Sequence, residues 1–334
     1  MKKASFYRCC LTAILVSLAS TGVAHAADVS PVVVGKNNWL FSTYEFSHAS
    51  DQADTQATID LLTKMNKLFK ARGITLGLVI VPSKIRIYAE HLPTSSPLDT
   101  YTAEKYERVV ATLRSNGVNV INLNQAFLNS PLRASDTPLF LQLDTHWGST
   151  GALLAAETVR TGINDTPALK AAWGATREEK YRLAWLDKKM PTRGRDLVRL
   201  LPKEQQEYPF ELVRLFKVTR ENAAAPDLLG AGEKIGITAI GSSYSNKNTG
   251  YPDALRYTLQ RNLLDISIPV DQGPWVGMEN YLRDDAFKSA PPKLILWEIP
   301  EREMRSPPDY KFRDARYIIG KDEWYGRMVN LLKP

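Results

Sequence analysis

Two short stretches, well separated in the chain, carry side chains that together could move an acyl group. The first is Leu139-Phe140-Leu141-Gln142-Leu143-Asp144-Thr145-His146-Trp147-Gly148. Its apolar run reads as a short buried strand, followed by a carboxylate and an imidazole at i and i+2. In an extended chain those two side chains share a face. Asp144 can therefore reach the Nδ1–H of His146, fix its tautomer and leave Nε2 free as a base. The second stretch is Gly241-Ser242-Ser243-Tyr244-Ser245, which follows another apolar run. Its form, G-x-S-x-S, is close to the G-x-S-x-G nucleophile elbow. The glycine permits a sharp turn, the serine two places on is pushed out of it, and backbone N–H groups around it can face an oxyanion. That geometry selects Ser243 over Ser242 or Ser245. Each motif alone has a plainer reading, a surface Asp with a satisfied His at a strand end, or a serine-rich polar turn. Together they supply nucleophile, base and orienting acid, and a serine needs all of these because it is a poor nucleophile until a base takes its proton.

Other chemistry has little support. Beyond residue 26 the histidines are His48, His91 and His146, and only His146 has an acid two residues before it and an apolar run behind it. His48 and His91 sit in loop-like contexts and read as surface residues. There is no H-E-x-x-H, no cysteine cluster and no close histidine pair, so no metal is expected. There is no G-x-x-x-x-G-K-[ST] and no G-x-G-x-x-G, so neither a nucleotide nor any other cofactor is expected.

The elements that must position these groups alternate as in an α/β fold with a parallel sheet. Val32–Phe41 reads as strand, turn, strand, with Asn37-Asn38 able to supply left-handed turn geometry. A helix is expected over 51–72, on the stripe Ile59, Leu62, Met65, Leu68 and Phe69, and stops at Gly73. A nearly continuous apolar strand follows at 74–81, then a helix at 102–116 and a strand at 118–121. Behind the Asp144/His146 stretch, 148–162 reads as a helix with Ser149 or Thr150 as cap. Periodicity is poor over 164–232, which reads as an insertion; its basic run from Lys188 to Arg195 is either a solvated loop or one wall of a groove for a polar polymer. Alternation resumes with a strand at 234–240, a helix at 252–264, a strand at 266–270, a helix at 275–287 and a last strand at 293–299. Residues after Met304 read as a polar tail.

The first 26 residues form a secretory signal. Lys2, Lys3 and Arg8 are its basic start, an apolar core follows, and Ala24-His25-Ala26 is a cleavage signal. Export to the periplasm is expected, with an uncleaved tether to the inner membrane as the alternative. Cys9 and Cys10 both lie inside this segment, so the exported chain has no cysteine and no thiolate chemistry. Of 43 Lys and Arg, three lie there too, leaving 40 against 36 Asp and Glu, a net +4 that does not call for nucleic acid.

With these residues in view, the chain resembles the SGNH-hydrolase-like polysaccharide O-acetyltransferases of the AlgJ/AlgX, alginate-acetylating type. The marks are Gly35-Lys36-x-x-Trp39-Leu40-Phe41, Val81-Pro82-x-Lys84-x-x-x-Tyr88, Asp144-Thr145-His146-Trp147, Gly194-x-Asp196-Leu197, Gly241-x-Ser243-Tyr244-Ser245 and Trp297-Glu298-Ile299-Pro300-Glu301-Arg302. Each is short, but their order and spacing are specific. The resemblance implies an α/β, SGNH-hydrolase-like parallel sheet flanked by helices and circularly permuted, so that the Asp/His motif precedes the nucleophile. By position, Asp144 orients, His146 is the base and Ser243 the nucleophile. Ser242 stands where ordinary SGNH hydrolases have the Asp of Gly-Asp-Ser.

The implied reaction has two steps. Ser243 takes an acetyl group, and a hydroxyl of an exopolysaccharide (alginate, cellulose or similar), deprotonated by His146, removes it. The resemblance also implies an acetyl donor supplied by a membrane-bound O-acyltransferase partner, together with other polysaccharide-secretion subunits. Tyr244, Lys84, Trp147 and Arg302 are candidate sugar contacts, with packing around the site as the alternative, above all for Trp147. The chain runs 32 residues past Arg302, too few for a carbohydrate-binding module, so polymer binding would fall to the catalytic domain or a partner. Two other functions stay open: an acetylesterase with the same triad, in which water replaces the sugar hydroxyl, and a non-catalytic polysaccharide-binding or scaffold subunit.

Overall fold

The nearly unbroken apolar runs become central strands of one parallel sheet, covered on both faces so that alternation is not required of them. The structure, a computed structural model, describes residues 30–221, 235–269 and 272–333. The expected signal segment 1–26 lies outside the described residues. In chain order the strands are β1 (Val32–Val34), β2 (Leu40–Ser42), β3 (Thr75–Val81), β4 (Asn119–Asn122), β5 (Lys180–Trp185), β6 (Met190–Pro191), β7 (Leu212–Val213), β8 (Phe216–Glu221), β9 (Ile237–Gly241), β10 (Leu264–Ser267) and β11 (Leu294–Pro300). The helices are α1 (Gln52–Ala71), α2 (Lys84–Ile87), α3 (Thr100–Ser115), α4 (Asn124–Leu128), α5 (Ser149–Asp165), α6 (Pro167–Gly174), α7 (Asp196–Arg199), α8 (Tyr251–Leu259), α9 (Gly273–Arg283), α10 (Asp285–Ser289) and α11 (Lys321–Leu331).

The central sheet has the order β10-β9-β11-β3-β4, with every pair parallel. Successive side chains of a strand face opposite sides, and the two cores follow that rule. On one side Val79, Val81, Ile237, Ala239, Leu294 and Leu296 meet α5 and α8. On the other Leu76, Leu78, Ile80, Ile295, Trp297 and Ile299 meet α1, α3, α9 and α11. The helix α1 buries the expected stripe, Ile59, Leu62, Met65 and Phe69, and the chain leaves it through Gly73 at φ +69°. The β1–β2 ribbon turns through Asn37 and Asn38, both left-handed, at φ 54° and 62°. Among the described residues no helix is long and apolar enough to cross a membrane.

Several expectations are corrected. Residues 139–143 do not form a strand; only Phe140 bridges, antiparallel, to Trp147. The chain folds back on itself, the Leu141 N–H donating to the His146 carbonyl and the Gly148 N–H to that of Leu139, both at 3.0 Å. The apolar residues are buried by this loop's packing, not by the sheet. Gly148, without a side-chain bond, caps α5; Ser149 and Thr150 lie inside the helix. The helix expected over 275–287 breaks at Asp284, whose carboxylate accepts from the Ala286 N–H and starts α10. The strand expected at 266–270 runs instead over Leu264–Ser267, and Val270 lies outside the described residues. The polar tail carries α11, whose Trp324 and Met328 are fully buried. Of the stretch 164–232, residues 222–232 lie outside the described residues; the rest holds the end of α5, then α6, whose Leu169 packs over Gly77 of β3, and two antiparallel ribbons, β5–β8 and β6–β7, with α7 between the strands of the second.

The burial of α11 sets a stability test. The Trp324 indole packs edge-on at 5.0 Å against Trp275 and donates to its carbonyl at 3.2 Å. Replacing it by alanine should cost about 3–5 kcal/mol in urea unfolding. A loss below about 1 kcal/mol would show that α11 is not part of the cooperative core.

Candidate active site

The serine turn is built at the carboxyl end of β9, where open α/β sheets present functional groups. Gly241 ends the strand, and a Cβ there would lie 2.3 Å from Ser245 Oγ and 2.4 Å from Glu298 Oε2, so only glycine fits. Glu298, on the neighbouring β11, is the acceptor beneath the turn. It takes the Ser242 N–H at 2.8 Å, the Ser242 hydroxyl at 3.0 Å and the Ser245 hydroxyl at 3.0 Å. Burial pushes its carboxyl up to about 7, against the opposing pull of those serine hydrogen bonds. The Tyr244 N–H donates to Ser242 Oγ and the Ser245 N–H to the Ser242 carbonyl. The Ser243 N–H alone in this turn has no acceptor among the described residues, which leaves it available to an oxyanion.

The acid–base loop meets this turn. His146 Nε2 lies 2.8 Å from Ser243 Oγ, and Nδ1 lies 2.6 Å from Asp144 Oδ1. The same Asp144 oxygen accepts the His146 backbone N–H at 3.0 Å, and Oδ2 accepts the Asp196 N–H at 2.9 Å. Burial would raise the Asp144 carboxyl, but the hydrogen bond and charge of His146, with those two N–H groups, outweigh it and hold it below the usual carboxylate range. The i, i+2 contact thus forms on a loop, not a strand.

Asp196 is a residue to which the sequence assigns no role, although the Gly194-x-Asp196 mark contains it. Its carboxylate accepts the Thr145 N–H at 2.8 Å and the Thr145 hydroxyl, and lies 3.7 Å from His146 Nδ1. Burial and the Asp144 charge raise it. Asp144, His146 and Asp196 bring their ligand atoms within 4.8 Å of one another, a spacing that could hold a cation. Both imidazole nitrogens already face partners, Asp144 and Ser243, which suits proton transfer rather than ligation.

Three of the four candidate sugar contacts take the packing alternative. Lys84 is fully buried, its Nζ donating to the carbonyls of Leu40 at 2.7 Å, Gln142 at 2.8 Å and Asp144 at 3.0 Å. Tyr244 is buried and its hydroxyl donates to the Thr145 carbonyl at 2.6 Å. Trp147 is buried, edge-on to Tyr244 at 5.0 Å. All three hold the loop and turn in place. Arg302 alone faces the cavity, 3.8 Å from Glu45 and with no hydrogen bond among the described residues. That cavity, about 430 Å³, opens over Ser243 and His146 and is walled by Thr145, Asp196 and Arg302, with exposed Tyr44 and Phe312 at its edge. His91 is half-buried rather than free on the surface, stacked at 4.8 Å on Trp39.

The profile of the family described as "SGNH hydrolase-like domain, acetyltransferase AlgX" matches residues 32–301. The chain is 29% identical over 314 residues to the "Probable alginate O-acetylase AlgJ" of Pseudomonas aeruginosa, covering 87% of this chain and 76% of that one. With the protein of the same description from Pseudomonas fluorescens it shares 30% identity over 280 residues, 82% of this chain and 68% of the relative. Among solved structures, the "O-Acetyltransferase Domain of Pseudomonas putida AlgJ" superposes with a TM-score of 0.72 at 25% identity, over 90% of this chain and 98% of that one.

The buried Glu298 gives a pH test. Its folded carboxyl, at about 7, lies above the ordinary 4.5, so the native state holds an extra proton between those values. The stability it contributes is fully present below about 4.5 and is lost as pH rises through about 7. Relative to Glu298→Gln, wild-type protein should lose unfolding free energy across that window in urea titrations. Parallel stability curves for the two proteins would refute the assignment.

Proposed function

The chain belongs to the SGNH hydrolase-like, AlgX-type acetyltransferase family, and from that membership we propose that it O-acetylates an alginate-type exopolysaccharide, with Ser243 as nucleophile, His146 as base and Asp144 as its orienting acid. The observation that carries this reading is the relay from Ser243 Oγ to His146 Nε2 at 2.8 Å and on from Nδ1 to Asp144 at 2.6 Å.

In the first step Ser243 Oγ attacks the carbonyl carbon of an acetyl donor while its proton passes to His146 Nε2. The oxygen charge that develops faces the Ser243 N–H, and Arg302 offers a cationic donor from the cavity wall. The imidazolium, stabilised by Asp144, returns the proton to the leaving group, which departs and leaves acetyl-Ser243. In the second step a sugar hydroxyl gives its proton to Nε2 and attacks the acetyl carbon. The serine departs with that proton, and the acetyl group ends on the polysaccharide.

The leader at 1–26 supports export to the periplasm, where the acceptor polymer, a membrane-bound O-acyltransferase that hands on the acetyl group, and other secretion subunits are the proposed partners. Hydrolysis shares every step up to the acyl-enzyme, so the acceptor decides between transferase and acetylesterase. An intact relay disfavours a purely scaffolding role.

The test uses protein beginning after residue 26, a chromogenic acetyl ester and uronate oligosaccharides, read by intact mass and by analysis of the sugar. An acetyl adduct that is absent in Ser243→Ala, acetylated sugar, and a rate loss of about 10³ or more in that variant are expected. Acetate release with no acetylated sugar would favour the esterase. No adduct and no turnover would overturn the enzymatic reading.

A further inference from the structure

The basic cluster of the 164–232 stretch borders a cavity of its own. Arg193, Arg195 and Arg199, with Val198, Gln206 and Phe210, line a space of about 390 Å³. No carboxylate is among its lining residues. Arg195 is fixed in place: its guanidinium donates to the Tyr208 carbonyl at 2.8 Å and lies 4.7 Å from the Phe210 ring. Arg193 and Arg199 are exposed, and their side chains make no ion pair or hydrogen bond among the described residues. Phe210 is 59% exposed, so its ring contributes little to the core and stays open to a ligand. The Gln206 amide nitrogen donates to the Leu201 carbonyl at 2.7 Å, which leaves its oxygen free to accept from a hydroxyl.

These groups match one chemistry. A guanidinium pairs with a carboxylate through two parallel hydrogen bonds. The open ring offers an apolar face to the C–H side of a sugar, and the amide oxygen takes a hydroxyl. The position matters as much as the composition. Asp196 of α7 and the following Leu200 line the catalytic cavity, whereas Arg195, Val198 and Arg199 line this one. A four-residue helix, about 6 Å long, therefore lies between the two.

We infer that this cavity is an accessory binding site for an acidic polysaccharide, seating carboxylate-bearing units of the acceptor chain while a neighbouring unit lies over Ser243. The inference rests on the O-acetyltransferase reading. Proximity to the nucleophile favours an acceptor sugar over another polyanion.

The test is a binding titration of wild-type protein and Arg193→Ala/Arg199→Ala with a uronate oligosaccharide, a neutral glucan oligosaccharide of equal length and a single-stranded RNA. The double variant should bind the uronate about tenfold more weakly, with the loss shrinking at high salt. Its hydrolysis of a small chromogenic acetyl ester should be unchanged, and the glucan should not discriminate the two proteins. The Arg193→Lys/Arg199→Lys variant, which keeps charge but not the fork, should recover part of the affinity. Equal uronate affinity in wild type and alanine variant, no uronate binding by wild type, an equal loss for uronate and glucan, or tighter binding of RNA would each overturn the inference. Missing acetylation of Ser243 with uronate binding intact would instead count against the transferase reading.

Discussion

A single buried ammonium holds the functional end of this molecule together. Lys84 begins α2 just beyond β3, and its Nζ satisfies carbonyls of Leu40, Gln142 and Asp144. The Asp144/His146 loop lies outside the sheet, so its carbonyls have no ladder partners and need a donor from elsewhere. One group with three N–H bonds meets that need at a point where β2 and the loop converge. Burial draws Lys84 down to about 8, while the charges of Glu45, Glu211, Asp144 and Asp196 hold it up. The rings of Trp39 and Phe41, 5.2 and 5.3 Å from Nζ, face the same cation.

Around that anchor the short motifs scattered along the chain become one connected shell. Parallel strands bring the loops after β3, β9 and β11 to the same end of the sheet. Glu301, just past β11, accepts the Ser83 N–H and hydroxyl, each at 2.9 Å, and forms a buried pair with Arg86. Trp39 stacks at 4.1 Å on Tyr88, whose hydroxyl accepts the Leu139 N–H at 2.9 Å. The Asp196 N–H closes on Asp144 from the far side, and a Cβ at Gly194 would approach Asp144 Oδ2 to 3.2 Å. Most of these residues never reach the cavity; they fix the few that do.

The sequence made the central strands legible because continuous apolar runs with glycine stops leave few alternatives. The helices with a clear stripe were equally readable. The contact among Ser243, His146 and Asp144 is legible because the residue types limit the choice: one histidine has a suitable acid, and one serine stands two places past a glycine after an apolar run. The loop at 139–147 was misread because burial without a ladder leaves the same apolar signature as a strand. For Lys84, Tyr244 and Trp147 the choice between sugar contact and packing stays open in the sequence, because polar and aromatic residues near a site look alike there whether they face a ligand or support the wall. Asp196 and Glu298 stand in the family marks but without a role, since each acts through partners 52 and 56 positions away. The helix α11 is hidden by the polar residues around it and by its short buried stripe, with Trp324 and Met328 alone fully buried on it.

The strand at the middle of the sheet, β11, is the last of the sheet's strands in the chain, and among the described residues it carries the only carboxylate that receives the serine turn's hydrogen bonds. Between β9 and β3 it supplies the acceptor for the Ser242 amide and for the hydroxyls of Ser242 and Ser245, and so completes the turn that carries Ser243. A chain ending before that strand would hold Asp144, His146 and Ser243 yet lack the acceptor beneath the serine turn, so the turn's completion waits on the last strand of the sheet to be made.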